Sequence, residues 1–176
     1  YDSSFEPAQQ KMRELQALAN GAPGAAQENR VAATLFEEAR ALVAEKQWSD
    51  AITRLEQLRT LNADYRAAEV SELLFQTYIG AGKAAVTANQ IELARGRFES
   101  ALIIRNDAEV RRQRDLAVLY LDGQQAVGYN WQLAIKNFAA LYQQDPGYDD
   151  VKRRLFDAYV QYADLAAKQN SPCLAE

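Results

Sequence analysis

One short pattern returns along the chain and limits what it can fold into. A marker alanine has a large apolar residue three positions before it and apolar residues four and seven positions after it. The pattern stands at Phe5/Ala8/Met12/Leu15, Trp48/Ala51/Leu55/Leu58, Ile91/Ala94/Phe98/Ala101 and Trp131/Ala134/Phe138/Leu141. Steps of three and four residues place these side chains on one side of a helix. The sequence therefore predicts four related helices, each with one apolar stripe.

The nearly even spacing of the markers indicates a repeated helical hairpin. Ala175 continues their series near the end of the chain. A partner helix recurs before the markers, because Leu35, Tyr78 and Tyr159 stand at one constant separation ahead of Ala51, Ala94 and Ala175. One hairpin cannot bury both of its faces alone, so neighbouring hairpins must stack. The predicted fold class is all-α, a right-handed α-solenoid of stacked helical hairpins with a long period of roughly 40–43 residues.

The third repeat departs from this spacing. Its tyrosine, Tyr120, stands two positions closer to Ala134 than Tyr78 stands to Ala94. Gly123 and Gly128 lie between Tyr120 and Ala134, and glycine weakens a helix interior. We therefore expect a loss of two residues and an irregular turn within residues 122–130.

The predicted organisation is one half repeat followed by a continuous repeat domain. Residues 1–24 form the half repeat and its linker, and residues 25–176 form repeats 25–64, 65–107, 108–147 and 148–176. Helices are expected at 6–20, 25–47, 49–61, 65–82, 84–88 leading into 90–105, 108–124, 131–144 and 148–170. Asn20 to Gly24 are expected to break the first helix, because this stretch contains two glycines and a proline. Asp64 and Asp107 are predicted N-caps.

Composition agrees with an all-helical chain and excludes several functional classes. Only 8 Gly and 4 Pro interrupt the sequence, too few for the turns of a β-sandwich or barrel. The net charge of −4 provides no basic field for nucleic acid. No apolar run approaches the roughly 18–20 residues needed to cross a bilayer, so we expect no direct membrane insertion of this segment.

The residues offer little for catalysis. The chain has no histidine, which removes the commonest general base and metal ligand, and its one cysteine is Cys173. Gly80–Lys83 resembles part of a phosphate-binding loop, but alanine follows the lysine where serine or threonine is required. An enzyme would have only carboxylate, tyrosine or lysine chemistry. We therefore expect a non-enzymatic protein without a metal or other cofactor.

The run Trp131…Ala134…Phe138…Leu141…Pro146 resembles the second helix of a tetratricopeptide repeat. Tyr78…Gly82…Ala85 and Tyr159…Ala163…Ala166 are similar to the first helix of such a repeat. That family has a period of about 34 residues, so the helices or connections here are longer. HEAT or armadillo repeats, with periods of roughly 40–47 residues, remain the structural alternative. By analogy, repeats of this long type occur beside bacterial membrane-anchored and signalling modules.

The resemblance implies a concave groove lined by the first helix of each hairpin, where a protein or peptide partner binds. The positions that correspond to this groove are Phe36, Arg40, Gln76, Ile79, Lys83, Leu121, Gln125, Val160 and Asp164. They are expected to face opposite to, or obliquely from, the residues at the seam between the two helices of a hairpin, which are Leu35, Tyr78, Tyr120 and Tyr159. The implied function is a non-catalytic protein–protein interaction scaffold within a larger protein. The alternative is a structural spacer, or a segment that self-associates through its terminal half repeats.

Two basic runs occupy related places near the start of the first helix in consecutive repeats. They are Arg111, Arg112 and Arg114, and Lys152, Arg153 and Arg154. Stacked repeats would bring them to one edge, where they could dock an acidic peptide, a carboxylate or a phosphate. The alternative is that they are solvent-exposed charges balanced by neighbouring acidic residues.

Overall fold

The computed structural model describes the backbone of residues 5–170 and the side chains of residues 24–169. Within the described backbone the fold is all-α, as predicted, with seven α-helices joined by turns and no strand. The helices are α1 (Phe5–Ala44), α2 (Trp48–Leu61), α3 (Ala67–Thr87), α4 (Ile91–Ile104), α5 (Ala108–Ala126), α6 (Trp131–Gln144) and α7 (Val151–Asn170). Helices α2, α4 and α6 are each 14 residues long, and each begins at the large apolar residue that precedes its marker alanine.

The first helix does not break where the sequence suggested. Helix α1 runs for 40 residues through the glycines and the proline of 20–24, so the predicted break and linker are wrong. Strong helix formers such as alanine, glutamine and leucine flank that stretch on both sides. Extending an existing helix is cheaper than nucleating a new one, so α1 propagates through it. The side chains of the first predicted stripe, at Phe5 and its partners, lie outside the described side chains, as do Cys173 and Ala175.

The chain divides into two compact units, Tyr1–Leu74 and Phe75–Glu176. In the first unit α1 packs against α2. Both helices bury small and branched apolar side chains at this contact, and Ala39, Ala51 and Leu55 are fully buried. The Phe36 ring also meets the ring of Tyr65 edge-on, with centroids 6.4 Å apart. The first unit therefore has its own core.

In the second unit the helices from α4 to α7 pack each against the next. The core lies between α5, α6 and the start of α7, where Tyr120, Phe138, Leu141 and Val151 are buried together. The markers Ala94 and Ala134 are fully buried here, as Ala51 is in the first unit. The apolar stripes predicted for α2, α4 and α6 are therefore confirmed.

Two glycines allow α3 and α5 to approach the helices that follow them. A Cβ atom on Gly82 would lie 2.5 Å from the Phe98 ring, and one on Gly123 would lie 2.7 Å from the Phe138 ring. These distances are too short for any larger residue unless the buried rings move. The prediction that Gly123 loosens its helix is therefore wrong, because α5 continues past it to Ala126.

The equivalent glycines also correct the register of the third repeat. Gly123 stands only one position closer to its marker, Ala134, than Gly82 stands to Ala94. The spacing from the glycine to the marker alanine is thus one residue shorter in the third repeat, rather than two. The irregular turn itself is confirmed at residues 127–130, where Gly128 adopts a φ of +89° that few other residues tolerate.

The helix caps follow from short polar side chains. Asp107 accepts hydrogen bonds from the backbone N–H groups of Glu109 and Val110 at 3.0 and 3.1 Å, which confirms the predicted cap. The prediction for Asp64 is wrong, because α3 begins only at Ala67. Asn62 makes the turn instead, accepting from the N–H groups of Asp64 and Tyr65 at 3.2 and 3.0 Å.

Candidate binding surfaces

The predicted groove residues of the first unit do not share one environment. Phe36 is only 4% exposed, so the prediction that it faces away from the helix seam is wrong. It stands three residues before the fully buried Ala39 and therefore lies on the same helix face. Arg40 remains exposed and pairs with Glu37 at 3.1 Å. Of the two predicted groove residues in this unit, only Arg40 is accessible to a partner.

The predicted groove residues of the second unit lie at or near the surface. Gln76, Lys83, Gln125, Val160 and Asp164 are exposed, and Ile79 and Leu121 are partly buried. Their exposure is compatible with binding, but their role remains a prediction.

The prediction for the seam of α7 is wrong. Tyr159 was expected there but is 52% exposed, whereas its neighbour Ala158 is 1% exposed. Helix α7 packs against α6 through the face that carries Val151 and Ala158. Tyr159 lies on a different face, because a step of one residue turns a helix by about 100°.

An open pocket of about 480 Å³ lies between the start of α4 and the second half of α5. It is lined by Asn89, Gln90, Ile91, Glu92, Leu93, Tyr120, Leu121 and Gln124. The turn that forms one wall requires Asn89 in the left-handed region, at φ +55°. Asparagine tolerates this region better than most residues, so the sequence fits the turn.

Only Leu121 of these lining residues was predicted from the sequence. The expected register treated Tyr120 as the equivalent of Tyr78, which gave Leu121 and Gln125 as groove positions. The glycine contacts make Gly123 the equivalent of Gly82. In this register Tyr120 and Gln124 correspond to Ile79 and Lys83, and both line the pocket.

The pocket wall at Tyr120 is held by a polar network. The Tyr120 hydroxyl donates to Asp150 Oδ1 at 2.8 Å, and Arg154 Nε donates to the same oxygen at 3.0 Å. The Arg154 guanidinium also lies 5.4 Å from the centre of the Tyr120 ring. These contacts fix the tyrosine between α4 and α7, so this wall of the pocket is preformed.

The network also sets the charges of its members. Burial raises the pKa of the Tyr120 hydroxyl, as does its hydrogen bond to Asp150, so the hydroxyl stays protonated and donates. Burial alone would raise the pKa of the Asp150 carboxyl, but the hydrogen bonds from Tyr120 and Arg154 hold that pKa below its usual value. Asp150 is therefore a charged acceptor, which suits a structural anchor rather than a proton-transfer group.

The basic runs are largely neutralised by their own helices. Arg112 pairs with Glu109 at 2.9 Å, and its hydrogen bond is the main cause that lowers the Glu109 pKa to about 2. In the same way, Arg114 pairs with Asp115, Arg153 with Asp150 and Asp157, and Arg154 with Asp150. Arg111 and Lys152 are exposed. This pairing favours balanced surface charge, and anion docking remains a prediction.

Within the described residues, no group of three or more His, Cys, Asp or Glu side chains is placed to hold a metal ion. No helix in that part of the chain has the length and apolar character to cross a membrane.

Comparisons with protein-family models, with curated proteins and with solved structures found no match to this chain. The tetratricopeptide resemblance therefore depends on the residues quoted above. The pocket between α4 and α5 combines concavity, exposed apolar groups and hydrogen-bonding side chains.

Proposed function

We propose that this chain is a non-catalytic interaction scaffold of tetratricopeptide-like hairpins that binds an extended segment of a protein partner. The observation that carries this proposal is the pocket of about 480 Å³ between α4 and α5. Its volume falls within the range of small ligand sites, roughly 300–1,000 Å³. Its open shape suits part of a longer peptide.

The pocket chemistry suggests what the bound segment contains. Leu93 is 45% exposed and offers an apolar contact at the rim, next to the partly buried Leu121. Asn89, Gln90 and Gln124 contribute side-chain amides, which can each donate and accept hydrogen bonds. Such groups match the N–H and C=O groups of an extended backbone, while the leucines receive an apolar side chain. The expected partner is a peptide with an apolar anchor and little net charge.

The tetratricopeptide-like assignment is supported by the way the hairpins pack. The contact of Gly82 with Phe98 is repeated by that of Gly123 with Phe138, although the spacing from the glycine to the marker alanine differs by one residue. Equal close approaches at equivalent positions are expected when one hairpin design is used twice.

The proposal can be tested by selecting peptides from a random display library against the purified chain. The affinity of the selected peptides is then measured by fluorescence polarisation for Leu93→Glu and Gln124→Ala. We expect Leu93→Glu to weaken binding at least tenfold and Gln124→Ala to weaken it severalfold.

Leu133→Glu is the matched control. Leu133 precedes its marker alanine just as Leu93 does, and it is 36% exposed, but it lies outside the pocket. If the two substitutions Leu93→Glu and Leu133→Glu weaken binding equally, or if neither weakens it, the peptide does not bind in this pocket. Failure to select any peptide would contradict peptide binding altogether.

A further inference from the structure

Helix α7 repeats the apolar pattern of α3 at a constant offset along the chain. Seven positions carry the same or similar residues: Val70/Val151, Leu74/Leu155, Phe75/Phe156, Tyr78/Tyr159, Ile79/Val160, Gly82/Ala163 and Ala85/Ala166. The match covers both apolar faces of the two helices. Since side chains on equivalent faces of repeated helices meet equivalent neighbours, the surroundings of α3 predict what α7 can accept.

A neighbouring helix covers one face of the second half of α3, whereas the side chains on the equivalent face of α7 are exposed. Phe75 and Tyr78 are 1% and 7% exposed. Helix α4 reaches this face, because Phe98 meets Gly82 and the Arg105 guanidinium, just past its end, lies 3.7 Å from the centre of the Phe75 ring. The α7 counterparts Phe156 and Tyr159 are 67% and 52% exposed.

We name the uncovered surface of α7 the open face and define it by Phe156, Tyr159, Val160 and Ala163. Helix α6 occupies another side of α7, where Val151 and Ala158 are buried. Large aromatic side chains on one exposed helix stripe are typical of a docking surface. By equivalence with α3, the open face accepts a helix that carries the marker pattern and places a large apolar residue on Ala163.

The chain contains such a helix in the first part of α1. Residues 5–18 match α2 at a constant offset, with Ala8/Ala51, Met12/Leu55, Leu15/Leu58 and Leu18/Leu61. Because α1 continues without a break, this stretch does not fold back on the rest of α1 as the second helix of a hairpin would. Residues 24–31, which connect it to the packed part of α1, are all exposed.

Helices α2, α4 and α6 each use 14 residues for the equivalent contact. Stretch 5–18 has the required length and pattern.

We infer that residues 5–18 of a second copy of this chain pack on the open face of α7. Met12 of that copy takes the place over Ala163 that Phe98 takes over Gly82. The two contacting surfaces differ, so the contact is head-to-tail and can be repeated from copy to copy. Association of this kind is independent of the peptide pocket, since none of the open-face residues lines it.

Sedimentation velocity over a broad concentration series of the 176-residue chain tests this inference. We expect concentration-dependent species larger than a monomer. Phe156→Asp and Met12→Asp should each weaken association at least tenfold, because a carboxylate would be desolvated in an apolar contact. The control is Ile103→Asp, which makes the same kind of change at an 87% exposed residue of α4 and should leave association unchanged.

Mixing the two variants distinguishes a head-to-tail contact from a symmetric one. The Phe156→Asp chain retains its 5–18 stretch, and the Met12→Asp chain retains its open face. Together they should form a dimer with one intact contact and no larger species, whereas each alone remains monomeric. Circular dichroism of each variant confirms that helix content is kept, and Tyr159→Asp replaces Phe156→Asp if the latter loses it.

Several results would overturn the inference. A wild-type chain that remains monomeric throughout the series would exclude it. Loss of association in Phe156→Asp but not in Met12→Asp would show that something other than 5–18 covers the open face. Loss on deletion of residues 171–176 alone would assign the cover to that segment instead. A mixture of the two variants that stays monomeric would exclude the head-to-tail arrangement.

Discussion

Helices α3 and α7 have nearly the same apolar pattern but very different exposure. Phe75 of α3 is 1% exposed, and its counterpart Phe156 of α7 is 67% exposed. The side chains are identical, so the difference comes from the neighbouring helix and not from the local sequence. A hydrophobic pattern therefore indicates which faces of a helix can be buried, and the neighbouring helices determine which of those faces are buried.

The largest expected effect comes from truncating these two phenylalanines. Phe75→Ala removes a fully buried ring and should lower the free energy of unfolding by about 3–5 kcal/mol. Phe156→Ala should change it by less than about 0.5 kcal/mol at low protein concentration, because the ring is largely in solvent. Urea unfolding of the two variants measures the difference. Equal losses would show that α7 is covered in solution as α3 is.

A second comparison uses the small residue on each helix. Gly82→Leu would drive new atoms into the Phe98 ring, which is fully buried and cannot move aside. We expect a loss of about 1–3 kcal/mol or more from this overpacking. Ala163→Leu on the open face should be close to neutral in the monomer. Thermal unfolding at matched concentration tests the pair, and a neutral Gly82→Leu would contradict the close approach of α3 and α4.

A third comparison concerns the acidic residue at the start of each helix. Asp150→Asn removes the charge that accepts from Arg154 and should cost about 1–2 kcal/mol at neutral pH. Its counterpart Glu69 pairs with Arg66 at 2.9 Å, but both side chains are well exposed. Glu69→Gln should therefore change stability by less than about 0.5 kcal/mol. Guanidinium unfolding at neutral pH measures both.

The Asp150 comparison also has a pH signature. The folded-state pKa of Asp150 is lower than its unfolded value of 3.8. Its contribution to stability is therefore complete above that value and is lost as the pH falls through the folded-state pKa. Acidification below about pH 4 should destabilise the wild type more steeply than Asp150→Asn. Parallel pH profiles for the two proteins would show that the carboxylate is not the stabilising group.

Parts of the fold that depend on local pattern could be predicted from the sequence. The bounds of α6, the buried marker alanines and the cap at Asp107 follow from periodicity and from one short side chain. The predicted helix break near Pro23 is wrong, because the helix-forming residues on both sides of a proline or glycine also determine whether a helix continues through it. The predicted register of the third repeat was wrong because Gly123 was taken as a residue that weakens the helix. Its close contact with Phe138 shows instead that it is the equivalent of Gly82.

The candidate pocket was harder to predict for the same reason. Its wall residues come from a turn at Asn89 and from α5, and they meet only when the register of two helices is known. Leu121 was predicted, but Gln124 and Tyr120 required the one-residue correction. Tyr159 was placed on the wrong face because α6 packs against another face of α7, which the local pattern does not indicate.

The division into two compact units gives each unit its own natural fluorophore. The chain has two tryptophans, Trp48 in the first unit and Trp131 in the second, and both are partly shielded from water. Replacing either one by phenylalanine leaves an emission signal that reports on a single unit. Coincident emission changes in the two single-tryptophan chains would show that both units unfold in one transition, and separate changes would show that each unit unfolds by itself.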